Sequence, residues 1–98
     1  MALSEKQRKH LRGLAHPLKP VVAIGQAGLS DSVVTETMRA LSDHELIKVR
    51  VAGMERTARD EALALLAKRT KSELVTRIGH VAVLYRRNME KTRILLPD

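Results

Sequence analysis

The sequence contains no cysteine, phenylalanine or tryptophan, and Tyr85 is its single tyrosine in 98 residues. Without cysteine there are no disulfides, thiolate metal sites or cysteine nucleophiles, and the chain fits a reducing cytoplasm. Modules that read single-stranded nucleic acid by stacking use several aromatic platforms, which excludes an RRM or OB-type reader. No segment approaches the roughly 18 consecutive apolar residues of a membrane helix, and Met1-Ala2-Leu3-Ser4-Glu5-Lys6 runs straight into charge, so neither a span nor an export signal is expected. The G-x-S-x-G, H-E-x-x-H, G-x-x-x-x-G-K-[ST] and G-x-G-x-x-G templates are all missing. His10, His16, His44 and His80 form no i, i+4 pair, and they read as turn or surface residues, with His16 near phosphate. Asp60-Glu61 and Asp43 with Glu45 read as solvated carboxylates on a helix surface or turn. No catalysis, metal or cofactor is expected.

What the chain does have is positive charge. Eighteen Lys and Arg face 11 Asp and Glu, a net charge of +7, and 44% of residues are hydrophobic, enough for one small domain with its own core. The charge is regional. Residues 1–20 carry Lys6, Arg8, Lys9, Arg12 and Lys19 against Glu5, whereas residues 21–47 carry Arg39 against Asp31, Glu36, Asp43 and Glu45. Such a field suits a polyanion, either nucleic acid or an anionic membrane face. The first segment lacks the Trp, Phe or repeated Leu of a membrane anchor. Nucleic acid bound through phosphates, sugars and backbone shape is the better match.

Ser4 and Gln7 have the S-x-x-Q form of a capping box, starting a helix with Leu11 and Leu14 inward and Lys6, Arg8, Lys9 and Arg12 outward until Pro17 and Pro20 stop it. Val21-Val22-Ala23-Ile24 reads as a strand buried on both faces. Ser30, Asp31 and Ser32 open a second helix with Val34, Met38 and Leu41 inward. Residues 45–51 alternate, Ile47, Val49 and Val51 on one face and Leu46, Lys48 and Arg50 on the other. A third helix over 57–69, capped by Thr57, turns Ala58, Ala62, Leu65 and Leu66 inward. Segments 74–78 and 81–85, joined by Gly79-His80, form a hairpin. The predicted fold is an α/β two-layer sandwich, α-β-α-β-α-β-β, with parallel and antiparallel pairs in one sheet. Residues 1–87 make the domain. In the tail, 88–98, Ile94-Leu95-Leu96 either docks on the body or adds a strand edge.

The segment with most chemical meaning is 25–30. A strand leading through Gly25-Gln26-Ala27-Gly28 into a helix gathers free backbone N–H groups at a positive dipole end, and glycines let a sugar-phosphate chain come close. KH domains clamp nucleic-acid backbone with a GxxG loop. The same four residues also serve as an ordinary tight β-to-α turn. Lys19 and the basic helix upstream favour the binding role.

Four motifs, in order, carry a resemblance. Residues 7–16 (QRKHLRGLAH) with Leu18-Lys19-Pro20-Val21-Val22, the loop Ile24-Gly25-Gln26-Ala27-Gly28-Leu29, Glu45-Leu46-Ile47-Lys48-Val49 and Leu84-Tyr85-Arg86 resemble the YhbY family. These are stand-alone bacterial CRM (chloroplast RNA splicing and ribosome maturation) domains. The resemblance implies a four-stranded mixed sheet similar to the C-terminal domain of translation initiation factor three, RNA binding, and association with ribosomal RNA in large-subunit precursors. It places a backbone clamp on Gly25, Gln26, Ala27 and Gly28 and a basic surface on Arg8, Lys9, Arg12 and Lys19, with Lys48 in the E-L-I-K-V strand. Arg50 extends that surface if its sheet face is open. Gln26 and Ala27 stand where many relatives carry Lys or Gly, so more charge must come from the flanks. Lys71 stands where a Gly often closes the third helix. A monomeric, cytoplasmic RNA-binding protein of ribosome assembly is expected. The alternative is a module that uses the same surface to bind a ribosomal protein or assembly factor.

Overall fold

The computed structural model describes residues 2–98. The elements follow the expected order: α1 (Glu5–Ala15), β1 (Pro20–Ile24), α2 (Asp31–His44), β2 (Leu46–Val51), α3 (Arg56–Thr70), β3 (Glu73–Ile78) and β4 (Val81–Tyr85). The strands form one mixed sheet in the order β1-β2-β4-β3, with β1 parallel to β2 and the other pairs antiparallel. The period-two pattern of β2 decides which side chain meets which layer. Ile47, Val49 and Val51 join Val22, Ile24, Ala82 and Leu84 in a core closed by Val34, Leu41, Leu63 and Leu66 of α2 and α3. Leu46, Val75, Val83 and Tyr85 face the other way and meet Leu11 and Ala15 of α1. Thus α2 and α3 complete the main sandwich, and α1 adds a partial layer on the reverse face.

Local chemistry sets the helix ends. Ser4 and Gln7 form the capping box, Gln7 N donating to Ser4 Oγ at 3.1 Å and Ser4 N to Gln7 Oε1 at 3.0 Å. Ser30 caps α2 through Val33 N at 3.2 Å. At α3 the cap is Glu55, not the expected Thr57, because its carboxylate reaches the Thr57 and Ala58 amides at 2.8 and 3.2 Å. Lys71 ends α3 in the left-handed conformation, φ 55°, doing what a glycine would do more cheaply. Gly79 takes the positive φ, 59°, of the hairpin turn.

Several inward assignments change. Leu14, Met38 and Leu65 are exposed, while Ala15, Thr37 and Leu63 are buried in their helices. β1 is a sheet edge covered on one face only, so Val21 and Ala23 stay exposed instead of being buried on both faces. Glu45 is not a solvated turn carboxylate. It is fully buried, with a positive φ of 64°, between α2 and β2. Its oxygens accept from the backbone amides of Asn88 (2.6 Å), Arg93 (2.6 Å) and Ile94 (2.8 Å). The tail therefore docks, with Ile94 and Leu96 against the α1-side core. Gln7 adds a bond from its Nε2 to Pro97 O at 3.0 Å.

Candidate nucleic-acid interface

The loop from β1 to α2 is a four-residue turn closed by Gly28 N donating to Gly25 O at 3.0 Å, with Gly25, Gln26 and Ala27 exposed. Gly28 has φ 84° and needs to be glycine for its own backbone. Gly25 does not. Its φ is not in the positive region, and a Cβ built there meets nothing within 4 Å. The fold would accept a side chain at Gly25, so what a side chain there could obstruct lies outside the protein. Gln26 leans on the β2–α3 loop, where a Cβ on Gly53 would sit 3.4 Å from its own Cβ.

Two helix N-termini lie at this end of the sheet, and they differ. At α3 the Glu55 carboxylate already accepts from the Ala58 and Thr57 amides, which hold its pKa below the ordinary carboxylate value. That terminus is occupied by the protein's own anion. At α2 the cap is the neutral Ser30 hydroxyl, and the Asp31 and Ser32 amides precede the first intrahelical bond, Val34 N to Ser30 O. The nearby negative charge, Asp31, is answered by Arg69 Nη2 at 3.1 Å.

The expected basic residues divide by what they hold. Lys9 and Arg12 lie exposed on the outer face of α1, and Lys19 is exposed just before β1. Arg8 is half-buried and braces α1 onto β3, its Nη1 donating to Leu74 O at 2.8 Å and Val75 O at 3.1 Å. Lys48 turns its Nζ onto His16 O (3.1 Å) and Leu18 O (3.0 Å), tying down the α1–β1 connection. Arg50 is exposed on the α1-facing side of the sheet. Lys19 and the GxxG loop stand at opposite ends of the five-residue β1, so the length of that strand, about 17 Å, separates them. The sites form two patches, with Lys48 and Arg50 on the sheet between them.

Sequence reasoning missed Gly13. It lies exposed in the last turn of α1, and a Cβ there would meet nothing within 4 Å. A glycine inside a helix costs about 1 kcal/mol relative to alanine, and that signal was readable without the structure. Arg86, in the last matching motif, is an internal staple: it donates to Thr70 O, Met38 O and Ser42 Oγ at 3.0, 3.2 and 2.8 Å. Among the described residues, no group of three or more His, Cys, Asp or Glu side chains could hold a metal ion, and no helix is long and apolar enough to cross a membrane.

Known proteins match this arrangement over nearly its whole length. The sequence profile of the CRS1 / YhbY (CRM) domain fits residues 3–86. An RNA-binding protein of Haemophilus influenzae is 46% identical over 95 residues, covering 97% of this chain and 95% of that one. A probable RNA-binding protein of Pseudomonas aeruginosa is 42% identical, with 97% and 91% covered. The solution structure of a hypothetical Staphylococcus aureus protein, proposed to bind RNA, superposes with a TM-score of 0.85 at 36% identity, covering 98% of this chain and all (100%) of that one. From profile, identity and fold together, the chain belongs to the CRS1/YhbY (CRM) domain family.

Proposed function

We propose that the protein binds structured RNA through its sugar-phosphate backbone, and that its target is ribosomal RNA in precursors of the large subunit, whose assembly it assists without catalysing a reaction. The observation that carries this reading is Gly25, a glycine that neither the backbone angle nor the packing of the protein requires, in the loop that leads into the α2 N-terminus, where the Asp31 and Ser32 amides precede the first intrahelical bond. Its relatives in Haemophilus influenzae and Pseudomonas aeruginosa, described as RNA-binding and probable RNA-binding proteins, support the same reading. In this reading Gly25, Gln26, Ala27 and Gly28 clamp phosphate with the α2 N-terminus. Lys9, Arg12 and Lys19 position the backbone, Arg50 extends the contact, and Arg8 and Lys48 shape the surface from beneath. The protein acts as a cytoplasmic monomer.

The test is binding to precursor particles and to their extracted RNA across a salt series. Lys9→Ala/Arg12→Ala spares the Arg8 brace, and Gly25→Asp avoids Gly28, whose positive φ would strain any other residue. Loss of two phosphate contacts makes the log–log salt slope shallower by about 1.4–1.8. Gly25→Asp weakens binding by setting a negative charge against phosphate. Full RNA affinity in both variants refutes the clamp. A second reading, a protein-binding module, draws on the groove of about 450 Å³ lined by Leu14, Leu18, Val21, Leu46 and Ile94 beside Lys19. Under that reading particles bind and extracted RNA does not.

A further inference from the structure

We propose that the open half of the α1-facing side of the sheet is a pocket for one unpaired nucleotide, so that the protein selects an RNA helix interrupted by a bulged or splayed base. The inference rests on the RNA reading above and names the substrate class more closely.

α1 covers only part of its sheet face. It packs over Leu46, Val75, Val83 and Tyr85, and beyond its C-terminal end lies a cleft of about 350 Å³ lined by His16, Pro20, Lys48, Ile78, Val81 and Val83, with Thr76 in register beside Val83. That volume is at the small end of ligand clefts. The register shows what stands in its outer row: Ala23 pairs with Arg50, Arg50 with Val81, and Val81 with Ile78. One guanidinium thus sits in a row of aliphatic side chains running across all four strands. Ile78 is 74% exposed, so the fold itself gains little from an isoleucine there. Arg50 is exposed, and no hydrogen bond or ion pair engages it among the described residues.

Three features point to a nucleotide. The first is charge: the one charged residue of the lining is the cation Lys48, and no carboxylate lines the cleft. The second is chemistry: the aliphatic side chains of Ile78, Val81 and Val83 line the cleft, Arg50 stands in register with Val81 in the adjoining strand, and arginine planes stack on splayed-out bases. The third is position. His16 and Pro20 at one end of the cleft adjoin α1 and Lys19, while Ala23 in the outer row is two residues from Gly25. An RNA strand held by phosphates at both patches passes over the cleft between them. The cleft is also fixed in advance, because the Lys48 ammonium is bound to His16 O and Leu18 O. Bases inside an uninterrupted helix are stacked and cannot enter, whereas a bulged base can.

The experiment compares fluorescence anisotropy titrations of two short RNA hairpin stems, identical except that one carries a single bulged uridine. The intact protein is set beside Arg50→Ala and Ile78→Asn, both at exposed positions. The intact protein favours the bulged stem about fivefold, the lower end of what stacking supplies per base. Ile78→Asn abolishes that preference and leaves affinity for the plain stem unchanged. Arg50→Ala abolishes it while weakening both stems. A 4-thiouridine at the bulge crosslinks to residues of the cleft. Equal affinity for the two stems, a preference that survives Ile78→Asn, or a crosslink mapping elsewhere overturns the pocket and leaves the RNA reading standing. Absence of saturable binding to either stem overturns both.

Discussion

Replacing Glu45 by Gln keeps the side chain's shape and removes its charge, which isolates what the buried carboxylate does for the tail. One oxygen accepts from Arg93 N and Ile94 N, at 2.6 and 2.8 Å, and the other from Asn88 N at 2.6 Å. Hydrogen bonds to a charged acceptor contribute about 1.5–3 kcal/mol each and neutral ones about 0.5–1.5. If the amide oxygen keeps the first pair, those two bonds weaken by about 1 kcal/mol each, and the amide NH2 then confronts the Asn88 N–H donor to donor at a further cost of about 1–3 kcal/mol. Detachment of the tail, which lets its amides hydrate, limits the loss to about 2–4 kcal/mol. Urea unfolding with a slope of about 1–2 kcal/mol per molar should show the midpoint falling by 1 M or more. Amide exchange at Arg93 and Ile94 should accelerate more than at the β2–β4 ladder. A midpoint within about 0.3 M of the original, with Arg93 and Ile94 still protected, would refute the carboxylate as the anchor.

Gly13→Ala should raise stability by about 0.5–1 kcal/mol, since the added methyl enters open space, and scanning calorimetry should read a melting point about 3–6 °C higher. If RNA backbone approaches α1 closely there, the same variant binds RNA more weakly, and a stabilised protein with unchanged affinity removes Gly13 from the interface. Tyr85→Phe should leave stability unchanged or raise it by up to about 1 kcal/mol in urea titrations, because the buried hydroxyl has no hydrogen-bond partner. Burial, reinforced by the Glu45 charge, raises the Tyr85 pKa. The folded state therefore holds the proton more tightly than the unfolded one, and stability falls as pH rises above about 10; Tyr85→Phe should flatten that alkaline slope. Glu55 has the opposite sign: its depressed pKa gives a contribution that is complete above the ordinary carboxylate range and lost on acidification through the lowered value, and Glu55→Gln should flatten the acid limb of the stability curve.

Much of this fold was legible because short-range chemistry decides it. Ser4 with Gln7, Ser30 before α2, the alternation of β2 and the Gly79 turn each act within a few residues, and each forms as the sequence implies. The phase of the helices was harder to read. In place of Leu14, Met38 and Leu65, tertiary contact buries Ala15, Thr37 and Leu63, a smaller or more polar residue in two of the three cases. The roles of Arg8 and Lys48 could not be read locally either. Their acceptors lie about 66 and 30 residues away in sequence, so cations that look free along the chain are committed in space. Glu45 is a further case, since its partners, 43 and 48 residues on, lie beyond the last strand.

The two outer strands of the sheet carry a consequence for a cell that holds many copies of this chain. An edge strand offers unpaired N–H and C=O groups to any neighbour, and regular apolar edges recruit one another into aggregates. Here β1 begins at Pro20, which has no N–H to offer, and its register slips between Pro20 and Val22. On the other side β3 slips between Leu74 and Thr76. Such irregularities bend a strand and spoil its fit to a straight partner. Both borders therefore resist growth of the sheet from one molecule into the next, protecting a small domain whose surface leaves Leu14, Leu18 and Val21 in water.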